Sequence, residues 1–279
     1  MSPHITRFVR TVVQLAKESS VARSKSAFEP GEGGFATWVM LAINCYRERE
    51  EETYRSVVDK LEAFSELRDP LDLSLEDLPD PSTVCKAFDN LTAAICRRLL
   101  EATLDLFDLG ETVAIDASSF DRVAASRRYA QRTEYRFLAM KTTVLTDCET
   151  GAILDVHCTT SRPHDTQIGW QVLTRNVDRM EVLTADKGYD WADLRTELRE
   201  NDVRPVIKHR EFDSLDKAHN ARIDDEVYHQ RSMVESSFAV LKQRYNDRLT
   251  TRIWYRQLRE VILKAAVKNI DKAIGASHH

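Results

Sequence analysis

Apolar and polar positions alternate along the chain with two different periods, and the change from one to the other divides it. In the first third the spacing is helical. A weak pattern (Phe8, Val12, Val13, Leu15, Ala16) runs up to the breaker cluster Pro30-Gly31-Glu32-Gly33-Gly34. Trp38, Leu41, Ala42, Cys45 and Tyr46 then recur at helix spacing, as do Tyr54, Val57, Val58, Leu61 and Phe64. Residues 71–81 read as a loop. Asp80 or Ser82 can cap a further helix whose apolar side is Val84, Phe88, Leu91 and Ile95.

At Glu111 the period shortens. Thr112–Ser118 is a β-rich run carrying Asp116 near its end, and Phe137–Thr146 and Ala152–Thr159 read as two strands joined by a turn at 147–151. A helix opens at 164–166, with Asp165 as its cap, and runs to about Asn176. Glu181–Asp186 is a fourth strand, again ending in an acid, and is followed by a helix over 191–200 and a fifth strand over 203–208. Residues 209–227 form a polar connector before a last helical stretch. The order β-β-β-α-β-α-β-α predicts an α/β fold, three antiparallel strands extended by strand–helix units, preceded by a helical region. The expected boundary lies near residue 105, with 1–105 helical and 106–279 holding the sheet and the C-terminal helices.

The stretch Tyr228–Lys242 concentrates the chemistry. At about 100° per residue, Tyr228, Arg231 and Lys242 fall within about 40° of Glu235 on a single helix. Val234, Phe238, Leu241 and Tyr245 form an apolar stripe to one side. A carboxylate flanked by cations at one and two turns suits a metal ion held beside a phosphate. It also suits an ordinary surface Arg–Glu pair, worth a few tenths of a kcal/mol. Lys242, roughly 10 Å along the axis from Glu235, is too far away to share a metal with it.

Asp116, Asp186 and Glu235 together make the stronger case. Strand ends are where polar side chains converge in a mixed sheet. Three carboxylates brought together repel one another unless a cation neutralises them, and oxygen-only ligands suit Mg²⁺ or Mn²⁺, two of which serve phosphodiester chemistry. Asp186, before Lys187-Gly188, has a turn former as its lesser reading. A buried Asp116 is harder to explain, because an unpaired buried carboxylate is costly.

These residues resemble DDE-type insertion-sequence transposases, which use a ribonuclease-H-like fold. The family's Y-(2)-R-(3)-E-(6)-K signature is matched by Tyr228, Arg231, Glu235 and Lys242. Ala185–Asp190 looks like the block around its second acid, and Ala114–Ser118 like that around its first. The spacings, 69 residues between the aspartates and 48 before the glutamate, leave little room for an inserted domain. The resemblance implies a transposase that cleaves and transfers DNA strands at the ends of an insertion sequence. Asp116, Asp186 and Glu235 would be its metal ligands, with two Mg²⁺ or Mn²⁺ ions. Tyr228, Arg231, Lys242, Lys187, Arg127 and Arg128 would face DNA. A catalytically inactive DNA-binding relative is the alternative; a ribonuclease-H-type nuclease would leave the Tyr-Arg-Glu-Lys helix unexplained.

Composition modifies this picture in a few places. The 279 residues, 42% hydrophobic and 30% charged, describe a globular chain with ample core. The net charge of −5 hides an uneven distribution. Residues 47–80 carry twelve acids against five Lys/Arg, residues 228–279 four against ten, and residues 118–142 two against six. Two segments are therefore basic enough to meet phosphates, and the resemblance implies double-stranded DNA as the partner, both terminal inverted repeats and target. The helix starting at Ser82, Thr83 and Lys86 can be a helix-turn-helix reader or one arm of a plain helical hairpin. Five widely spaced cysteines without a Cys-x-x-Cys pair point to free thiols. No 18-residue apolar run and no signal-peptide core are visible, so no membrane role and a cytoplasmic location, nucleoid-associated on DNA, are expected. Holding both element ends implies a homodimer on DNA.

Overall fold

A computed structural model describes residues 3–19, 25–31, 34–122, 139–161 and 163–276. The chain divides into two compact units. One comprises Met1–Leu106, Arg244–Asn246 and Ile253–His279; the other comprises Phe107–Gln243 and Asp247–Arg252.

The first unit is helical. Helix α1 (Pro3–Ser19) buries the weak apolar stripe seen in the sequence, including Phe8, Val12 and Ala16. Helix α2 (Thr37–Glu50) is buried from Trp38 to Glu48, the mark of a helix surrounded by others. Thr53 caps α3 (Tyr54–Ala63), its hydroxyl accepting from Ser56 N at 3.1 Å, and α4 (Ser65–Arg68) is a single turn. Asp80 caps α5 (Pro81–Asn90), accepting from Ser82 N at 2.8 Å, with Pro81 at the first helical position. The sequence pattern carried this helix to Ile95. The structure ends it at Asn90, because the Thr92 hydroxyl accepts from Ile95 N at 3.3 Å and starts α6 (Ala93–Ala102).

The second unit is built on a mixed sheet. Strands β1 (Thr112–Arg122), β2 (Met140–Asp147) and β3 (Ile153–Thr159) form the antiparallel meander. Helix α7 (Asp165–Thr174) follows, capped by His164 rather than Asp165: His164 Nδ1 accepts from Thr166 N at 3.3 Å, which leaves Asp165 as the first helical residue. Strand β4 (Val182–Ala185) pairs parallel with β1, helix α8 (Ala192–Glu200) returns, and β5 (Arg204–Ile207) pairs parallel with β4. The order β3-β2-β1-β4-β5 is the ribonuclease-H-like mixed sheet that the sequence implied.

The connector is more ordered than its polarity suggested. It contains α9 (Ser214–Asn220), started by a reciprocal Asp213–Asp216 capping box. Helices α10 (Asp225–His229) and α11 (Ser232–Arg244) follow, and then a two-residue strand β6 (Arg248–Leu249) parallel to the far end of β1.

The sequence reading placed the last helix with the sheet. Helix α12 (Trp254–Ala276) instead packs against α1, α2 and α6. Its buried residues run consecutively from Glu260 to Asp271, so it needs neighbours on several sides, and a helical bundle supplies them. Among the described residues, no helix is long and apolar enough to cross a membrane.

Candidate active site

Sheet register brings the two aspartates together. Ile115 of β1 pairs with Ala185 of β4, and Asp116 and Asp186 are the next residue on each strand. Strand β4 stops there, because Asp186 opens a 3₁₀ turn over Lys187–Tyr189, closed by Tyr189 N donating to Asp186 O at 2.9 Å. Strand β1 runs on alongside β2. The crevice lies beyond the carboxyl end of β4, where open α/β sheets take their ligands.

Glu235 approaches from α11. Asp116 is half-buried, and its Oδ1 accepts from the Ala117 N–H at 2.8 Å. Burial pushes its carboxyl above the ordinary range, Asp186 and Glu235 push it further, and the Ala117 N–H and Arg231 oppose them. Asp116 is thus within electrostatic reach of the other two acids. Asp186 is exposed, and Glu235 is held by Arg231, whose Nη1 donates to its Oε1 at 2.7 Å.

The stretch Tyr228–Lys242 is not one helix. It breaks at Gln230–Arg231, where Arg231 N, Met233 N and Val234 N each bond three residues back, to Tyr228, Gln230 and Arg231 respectively. Tyr228 therefore does not share a helical face with Glu235. Its ring is buried, Lys208 Nζ lies 4.3 Å from the ring centroid, and its carbonyl accepts from Thr184 Oγ1 at 3.3 Å. The stripe Val234, Phe238, Leu241 and Tyr245 is buried as expected. Lys242 does not stand free: its Nζ donates to Ser118 Oγ at 2.6 Å.

Lys187 is exposed beside Asp186, in a cleft also lined by Lys208, His209, Arg210 and Tyr228. Sequence reasoning missed these basic partners, although the Lys208-His-Arg210 triplet following β5 was the available signal. Arg210 is fixed to the turn after Asp186. Its N donates to Asp190 Oδ2 at 2.9 Å, its Nε to Lys187 O and its Nη2 to Gly188 O, both at 3.3 Å. Burial alone would raise the Asp190 carboxyl, but that N–H and the Arg195 guanidinium hold it below the usual range.

Arg127 and Arg128 lie outside the described residues. Ser82, Thr83 and Lys86 sit in the first turns of α5, with Ser82 and Lys86 exposed and Thr83 half-buried.

Among the described residues, no three His, Cys, Asp or Glu side chains stand close enough together to form a ready-made metal site. The donor set is nonetheless all carboxylate oxygen, with repulsion on Asp116 that a cation would relieve. That chemistry fits Mg²⁺ or Mn²⁺.

Residues 108–270, more than half of the chain, match the family described as Transposase DDE domain. The chain belongs to the transposase DDE domain family. Among solved structures, this DDE chain is similar to piggyBac transposase, determined by cryo-EM as a synaptic complex with hairpin DNA, at 13% identity and a TM-score of 0.45. The likeness covers 99% of this chain and 66% of that one, so the chain spans about two thirds of the length of that transposase. No curated protein matches the sequence.

Proposed function

We propose that this DDE-family chain catalyses metal-dependent cleavage and transfer of DNA strands at the ends of an insertion sequence. The observation that carries the reading is that Asp116 and Asp186 directly follow the paired residues Ile115 and Ala185, with both Asp186 and Glu235 pushing the Asp116 carboxyl up. These three carboxylates would hold two divalent ions, Mg²⁺ or Mn²⁺, which supply the positive charge that activates a hydroxyl and stabilises a leaving oxygen in phosphodiester chemistry.

The surrounding residues have separable tasks. Arg231 keeps the Glu235 carboxylate turned along its helix and offsets the repulsion on Asp116. Lys187, Lys208 and Arg210 line the cleft beside Asp186 with positive charge and meet the phosphates flanking the scissile one. Arg127 and Arg128 belong to the basic segment that the sequence assigns to DNA. Ser82, Thr83 and Lys86 of α5 read the terminal inverted repeats. The working form on DNA is a homodimer, one copy for each element end, in a cytoplasmic, nucleoid-associated protein.

The test is transfer of a donor oligonucleotide carrying the element end into a supercoiled plasmid. Joined product is expected with Mg²⁺ or Mn²⁺, and Ca²⁺ should support end binding with little cleavage, because it prefers looser, higher coordination. Undiminished cleavage in excess EDTA sinks the reading.

A further inference from the structure

Asp165 lies outside the three-acid signature. It opens α7 and uses its two oxygens differently. Oδ1 lies 2.6 Å from Lys141 Nζ, and Lys141 is itself anchored to Pro163 O at 2.7 Å. Oδ2 points towards the turn that carries Asp186. A β-carbon at Gly188 would stand 3.8 Å from Asp165 Oδ2 and 4.0 Å from Asp186 Oδ2. Two carboxylate oxygens thus stand within reach of the place that a side chain at residue 188 would take. Like charges so placed repel one another, and the Lys141 ammonium reaches the other oxygen of Asp165.

An independent observation points into the same place. The Tyr189 side chain is 1% exposed and its hydroxyl has no hydrogen-bond partner. Its ring lies against Gly169, where a β-carbon would come within 2.7 Å of Cε1 and 2.8 Å of Cδ1. Gly169 and Asp165 are four residues apart on α7 and share one face, so the ring lies against the face that ends at Asp165. The hydroxyl feels Asp165 most strongly after burial itself, then Asp116 and Asp186. A buried unpaired hydroxyl ordinarily costs free energy. Here it sits among three carboxylates, where it can donate to any oxygen that an ion draws into place.

We propose that Asp165 is a fourth acidic ligand of the reaction centre, and that the opening between Asp165 Oδ2 and Asp186 Oδ2 takes one of the two divalent cations. Lys141 holds the other oxygen of Asp165 and turns the carboxylate towards the ion, and Tyr189 donates to the ligand carboxylates from beneath. This inference rests on the metal-dependent reading above and adds a residue to it.

The experiment is a Mn²⁺ titration of the full-length chain, with bound ion counted by electron paramagnetic resonance and thermal melting run in parallel. Wild type is expected to bind two ions. Asp165→Asn should bind one, with a melting temperature within a few degrees of wild type in the absence of metal. Gly188→Ala, whose methyl meets nothing closer than 3.8 Å, should keep the fold and weaken the second ion at least tenfold. Two ions bound to Asp165→Asn at wild-type affinity, in a wild type that also cleaves in a Mn²⁺-dependent way, overturns this proposal and leaves the parent reading standing. A wild type that binds no Mn²⁺ and cleaves without it overturns both.

Discussion

Lys242, near the end of α11, donates a 2.6 Å hydrogen bond to Ser118, which lies two residues beyond Asp116 on the same face of β1. The Tyr-Arg-Glu-Lys signature is therefore fastened to the strand bearing the first acid by its last member. The ammonium keeps two donors for other work. Lys242→Met is expected to lower affinity for duplex DNA and flatten its salt dependence by about one phosphate contact. Ser118→Ala, which removes only the acceptor, should cost about 1 kcal/mol of stability and leave the salt slope unchanged. Gel-shift titrations at several salt concentrations, with melting curves, check both. Equal destabilisation with unchanged slopes in the two variants would make the contact structural alone.

Glu235→Gln keeps size and helix preference and removes the charge a hard cation needs. The proposed role loses several kcal/mol of transition-state stabilisation, on the order of a hundredfold or more in cleavage rate. End binding should persist or tighten as repulsion of phosphate is relieved. Arg231→Ala should lose both binding and rate, because it unpairs Glu235 and removes the cation facing Asp116. Wild-type cleavage by Glu235→Gln would remove Glu235 from the triad.

Helix α5 is held from behind by α12. Arg256 pairs with Asp89, and Arg259 donates to the terminal carbonyls of Phe88 and Asp89 at 3.0 and 2.9 Å. That clamp holds the C-terminal end of α5, while Ser82 and Lys86 stand exposed at the other. Replacing Ser82, Thr83 and Lys86 together with alanine should abolish preference for element ends over random DNA in competition gel shifts. Salt-sensitive non-specific binding should survive. Unchanged preference would move end recognition elsewhere in the helical unit.

Lys268 on α12 is buried, and burial together with the Lys272 charge pulls its ammonium down to about 7. The unfolded chain, with an ordinary lysine, binds more protons between pH 7 and about 10.5, so this group makes stability rise with pH across that window. Lys268→Met should flatten that rise. Denaturant melts at pH 7, 8 and 9 check it, and a slope equal to wild type would exclude the linkage.

The sheet was largely legible because its strands are β-rich runs bounded by turn residues, although β1 runs past Asp116 to Arg122, further than the sequence suggested. The Glu235 helix was legible through its spacing, but the break at Gln230–Arg231 was not. Nothing there is a glycine or proline, and the break appears only as a shift to bonds reaching three residues back. Helix α9 was hidden by its polarity, since no residue in it is buried and it stands on a capping box. Helix α12 was assigned to the wrong unit because an apolar helix does not name its neighbours. Lys208 and Arg210 were missed because a basic triplet in a connector reads as solvated surface until the fold returns it to Asp186.

Gly169 touches none of the acids, yet it sets the room left for the Tyr189 ring. The phenol ring of Tyr189 occupies the room that residue 169 leaves, so one methyl on α7 would be felt across the ring at the turn bearing Asp186. Alanine there would ordinarily favour the helix by about 1 kcal/mol. Here the gain to the helix and the loss to the site have opposite signs. Crowding a buried ring costs about 1–3 kcal/mol, so the sign at this position is set by the room left for the phenol and not by the helix.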